Sequence, residues 1–111
     1  MAFILLCGNR YAISTMGKSE DFGKVMKVVT ELTEVSEEAI LGRSRDIDVV
    51  DARWMVICLM NEKGYLAKQI APLINHPVRT VNHAINFFSE RVRYSCNGLG
   101  NILAISRQQL L

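Results

Sequence analysis

The chain has 111 residues, of which 50% are apolar and 22% charged, and a formal net charge of +2. That length supports one domain able to bury a core without metal or disulfide support, and that apolar content excludes an unfolded or low-complexity chain. No stretch approaches the roughly 20 consecutive apolar residues of a membrane span. The cysteines Cys7, Cys58 and Cys96 are widely spaced, with no CxxC or Cys/His pairing, so neither a zinc site nor a disulfide framework is expected, and a reducing cytoplasm fits.

The first 16 residues, MAFILLCGNRYAISTM, do not match the pattern that follows. Phe3 to Cys7 is a short apolar run without the cationic start and cleavage site of a signal peptide. Residues 1–18 therefore read either as a loosely attached arm or strand, or as a segment upstream of a natural start at Met16. Ala12 to Ser19 fits a loose phosphate-loop pattern with Ala in place of the first glycine. Its context opposes that role: no second glycine frees the backbone, and so short and helical a chain offers no parallel sheet behind it.

Ser19-Glu20-Asp21 reads as the start of a helix, a capping residue followed by acids in the first turn. Phe22, Val25, Val28, Val29 and Leu32 supply its apolar stripe. Ser36-Glu37-Glu38 opens a second, shorter helix that buries Ile40 and Leu41 and stops at Gly42. Arg43-Ser44-Arg45 is a basic loop. Asp46 or Asp48 caps a third helix running to about Lys63, in which Trp54 to Met60 is apolar nearly all round, the mark of a central buried helix. Trp54 accordingly belongs to the core, and Lys63-Gly64 ends the helix.

Residues 66–88 then form two helices around a tight turn. The first, about Leu66 to Ile74, repeats apolar residues at helical spacing. The second opens at Pro77, with Asn75 or His76 as cap and Asn75 as the nearest substitute for a turn glycine. Its inward face is Val81, Ala84, Ile85 and Phe88, and its outward face carries Arg79, Asn82, His83 and Asn86. This is the pattern of a helix-turn-helix. Its outward residues are of types that read base edges in the major groove, Arg for guanine and Asn for adenine. An ordinary helical hairpin with a solvated face has the same spacing. Arg91 and Arg93 follow, as phosphate contacts or as solvated charges. Asn97 to Gly100 breaks the helix, and Asn101 caps a last one that closes the core or forms a dimer contact. Charge supports a basic end: residues 43–111 hold nine Lys/Arg against five Asp/Glu, residues 1–42 four against six.

From Val35 to about Phe88 the chain resembles the C-terminal DNA-binding domain of the bacterial replication initiator DnaA, a helix-turn-helix module of Trp-repressor-like type. Glu37 to Arg45 looks like that family's short helix and basic loop, and Val49 to Met55 like the start of its long helix with an Ala-Arg pair. Gln69-Ile70-Ala71 matches its "x-Ile-Gly", and Arg79-Thr80-Val81-Asn82-His83-Ala84 its "Thr-Thr-Val-x-His-Ala". The signature Asp-His pair is replaced by Pro77-Val78, so the initiator's own target sequence does not carry over, and its ATPase module is absent. The resemblance implies that Arg43 and Arg45 approach the minor groove or flanking phosphates, that Arg53 contacts the DNA backbone, and that Thr80 contacts DNA. It leaves His83 either structural or DNA-facing.

The expectation is an all-α protein of about six helices, with 19–111 a single DNA-binding domain. Its DNA-facing set is Arg43, Arg45, Arg53, Lys68, His76, Val78, Arg79, Thr80, Asn82, His83 and Asn86. The partners are double-stranded DNA and a second copy through the C-terminal helix, with no membrane, small-molecule substrate, cofactor, metal or catalysis. The competing expectation is a protein-interaction module that keeps the fold without reading DNA.

Overall fold

The computed structural model describes residues 7–94 and 98–110, with side chains from Glu20 onward. Among the described residues the protein is all-α: six helices and no strand. They are α1 (Cys7–Thr33), α2 (Glu37–Leu41), α3 (Ile47–Glu62), α4 (Ala67–Ile74), α5 (Val78–Tyr94) and α6 (Leu99–Gln109).

α3 is the axis. It packs against each of the other five helices, and this explains a sequence with no polar face. Ala52, Met55, Val56, Ile57, Leu59 and Met60 are all buried. A helix surrounded on all sides gains from apolar residues at every angle, whereas a surface helix gains on one stripe only. Around it, Val25 and Val29 come from α1, Ile40 from α2, Ile70 and Ile74 from α4, Phe88 from α5 and Leu103 from α6.

Three helix starts differ from expectation. α1 spans Cys7–Thr33, so Ser19 lies inside the helix and not at its start, and the boundary placed at residue 18 falls in mid-helix. Ala12 to Ser19 is helical too, so its backbone does not form a phosphate-binding loop. At the other end Gly98, not Asn101, is the N-cap of α6. It takes a left-handed φ of 70°, which glycine adopts without steric cost. The disagreement over Ser19 has a simple cause. Ser-Glu-Asp is favourable at a helix start but tolerated within one, and the two cases look alike in sequence.

The shorter elements are closed locally. Ser36 accepts from the Ala39 amide at the start of α2. The Gln69 side chain accepts from the Leu66 amide, occupying a donor that α4 leaves open at its start. Asn75 ends α4 in the left-handed conformation (φ 61°), the substitution for turn glycine read from the sequence. Pro77 sits one place earlier than expected: its carbonyl accepts from Val81, making it the residue before α5, whose first residue is Val78.

α1 is joined to the middle of the fold by Tyr65, whose hydroxyl donates to Asp21 Oδ2 at 2.5 Å. Burial and the adjacent carboxylate push the Tyr65 phenol up to about 12. Arg107 of α6 grips Glu62 of α3 through Nε and Nη2.

Candidate nucleic-acid interface

α4, the turn Asn75-His76-Pro77 and α5 make the helix-turn-helix unit. Ile70, Ala71 and Ile74 on α4 and Val81, Ala84 and Phe88 on α5 are buried, which turns the rest of α5 outward. Arg79, Asn82, His83 and Asn86 are exposed, and Thr80 is half-buried. Val78, the first residue of α5, is 42% exposed. Lys68 is exposed on α4.

The basic loop between α2 and α3 is bound to this unit. His76 Nε2 lies 2.9 Å from the Gly42 carbonyl oxygen. A carbonyl only accepts, so the ring carries its proton on Nε2 there. The Asn75 side-chain amide donates to the Leu41 carbonyl at 3.4 Å. The turn before α5 therefore docks on the end of α2, where the loop begins. Arg43 and Arg45 are exposed on that loop. The His76 pKa is lowered chiefly by burial; the bond to Gly42 opposes this, and the charges of Arg53 and Arg43 add to it.

Arg53 corrects an expectation. It is only 5% exposed and points into the protein. Its guanidinium donates from Nε to the Ile40 carbonyl at 2.8 Å, from Nη1 to Ser44 at 3.1 Å, and from Nη2 to Ala39 and Gly42 at 3.2 and 3.0 Å. Three of these carbonyls lie at the end of α2 and the fourth lies in the loop. A helix end leaves such carbonyls without partners, and a cation there also suits the helix dipole. Arg53 is thus the pin that shapes the basic loop, with its donors committed inside the chain instead of to a phosphate. Burial, then the Arg43 charge, lowers its pKa.

The flank of α5 facing α3 holds a second cluster. The Trp54 ring meets the His83 ring edge-on, with centroids 5.4 Å apart and planes at 82°. His83 in turn lies 4.7 Å from Phe87, which is 44% exposed. The Arg91 guanidinium carbon sits 5.0 Å over Trp54, and its Nε pairs with the buried carboxylate of Asp51. His83 is therefore both exposed and held by ring contacts, and Trp54 is half-buried at the edge of the core. Arg91 belongs to an internal pair, a role the sequence does not signal because its partner lies 40 residues away.

Among the described residues the ion pairs are Lys24–Glu20, Arg91–Asp51 and Arg107–Glu62. Arg43, Arg45, Lys68 and Arg79 take no part in them. Among those residues no group of His, Cys, Asp or Glu is placed to hold a metal, and no helix is long and apolar enough to cross a membrane. Cys58 carries a thiol raised to about 11, mainly by burial and then by Glu62, which leaves it protonated and a poor nucleophile at neutral pH. Compared with protein-family models, with curated proteins and with solved structures, the chain matches none.

Proposed function

We propose that the chain is a sequence-specific double-stranded DNA-binding domain of the DnaA C-terminal, Trp-repressor-like kind, serving replication initiation or transcription regulation. One observation carries this reading. The turn that starts α5 is hydrogen-bonded to the loop carrying Arg43 and Arg45. A helix with outward Arg79, Asn82, His83 and Asn86 and a loop with two exposed cations are thereby held in one fixed relation. The helix supplies base-edge donors and acceptors, while the loop supplies positive charge for phosphate. The reaction is binding, without cofactor or catalytic group.

One helix-turn-helix reads few base pairs, so a second copy on the same site would extend recognition. α6 offers Ile105 for such a contact, 45% exposed, while Leu99 and Leu103 face the core.

The alternative is a protein-interaction module. Phe87, exposed beside His83, favours it, because an aromatic ring outside the core is a common anchor for a protein partner. Salt dependence separates the two. A domain that neutralises phosphates loses duplex affinity linearly in log K against log salt, with a slope near −0.9 per phosphate contacted. Titration with a random duplex at several salt concentrations should give a slope of about −2.7 if Arg43, Arg45 and Lys68 each meet one phosphate. Absence of duplex binding at low salt would leave the interaction module as the reading.

A further inference from the structure

Val78 is the apolar member of an otherwise polar outward set on the first two turns of α5. It stands beside Arg79 and one turn before Asn82, and 42% of its surface is exposed. The backbone around it is fixed. Pro77 holds its own φ, Asn75 is locked in the left-handed turn, and the His76 ring is tied to Gly42. An aliphatic side chain held there cannot read a hydrogen-bonding edge. The major groove offers it one apolar group, the C5 methyl of a pyrimidine. We infer that Val78 reads a 5-methylpyrimidine, thymine or 5-methylcytosine, at the base pair met by the start of α5. Arg79 and Asn82 read polar edges nearby.

This inference rests on the DNA-binding reading, and its test tells the two apart. A site is first selected from a random duplex pool, and each thymine in it is then replaced singly by deoxyuridine, which removes only the methyl. For the wild-type protein, one such replacement should weaken binding about fourfold, the value of one buried methyl-sized group. Val78→Ala, a change to a better helix former at an exposed position, should bind the thymine and deoxyuridine sites equally. Val78→Ile should keep the discrimination.

At the responsive position, cytosine and 5-methylcytosine are compared in the same way, and the tighter of the thymine and 5-methylcytosine duplexes identifies the natural base. Equal losses in wild type and Val78→Ala, or a selected site with no methyl-sensitive position, would overturn the inference while leaving DNA recognition standing. Failure to select any duplex would overturn both.

Discussion

The His76 ring and the Gly42 carbonyl oxygen are 2.9 Å apart, and that bond joins the turn of the helix-turn-helix to the basic loop. The two surfaces proposed to meet DNA, one for bases and one for phosphate, are therefore coupled by an imidazole whose pKa is lowered, chiefly by burial.

His76 predicts a pH dependence whose sign follows from its lowered pKa. A neutral ring is favoured in the fold, mainly by burial and further by the Arg53 and Arg43 charges. Below the ordinary value of about 6.5 the unfolded chain binds this proton more readily than the folded one. The contribution of His76 to stability is thus present above that value and lost as pH falls towards the lowered folded pKa. Unfolding in urea between pH 7.5 and 5.5 should show wild type losing stability faster than His76→Gln. Parallel curves would contradict this.

Arg53 predicts a large stability loss. Arg53→Ala removes donors from four carbonyls at the end of α2 and in the loop. The cost should be about 3 to 5 kcal/mol by urea unfolding, because buried acceptors lose charged partners. Arg53→Lys should recover less than half, since a single ammonium cannot fork to carbonyls on several sides. A loss below about 1 kcal/mol, the usual range of a surface change, would show that the pin is not needed.

The Asp51–Arg91 pair predicts non-additive mutants. Asp51 is buried on α3 and Arg91 covers it from α5. Arg91→Met strands the carboxylate and should cost about 2 to 4 kcal/mol, whereas Asp51→Leu/Arg91→Met should be more stable than Arg91→Met alone. Trp54, the chain's single tryptophan, lies under Arg91, so its fluorescence should change in every variant that moves that guanidinium. A double mutant less stable than the single would refute the pairing energetics.

The inward residues of α4 and α5 were legible in the sequence because a 3.6-residue period repeats through Ile70, Ile74, Val81, Ala84 and Phe88. So was the buried character of α3. What was not legible depends on contacts distant along the chain. Arg53 meets carbonyls 9 to 14 residues away, and Arg91 meets Asp51 across 40. Local pattern assigns an Arg to solvent or phosphate by default. Even so, an arginine directly before an apolar run with no polar face carried a hint that it must be satisfied inside. The tie from His76 to Gly42, which relates loop to helix, spans 34 residues and has no local signature.

The division of labour between Arg79 and the loop tests the DNA-binding reading most directly. Wild type, Arg79→Ala and Arg43→Ala/Arg45→Ala would each be titrated against a random duplex pool and against the site selected from it, over a range of salt. The expected result is threefold. Wild type selects a sequence. Arg79→Ala loses preference for that sequence, typically by about 1 to 3 kcal/mol at a guanine it reads. Arg43→Ala/Arg45→Ala loses affinity for all sequences alike, with a salt slope shallower by about 2. A wild-type protein that binds no duplex at low salt, or loop and helix variants that bind like wild type, would contradict it.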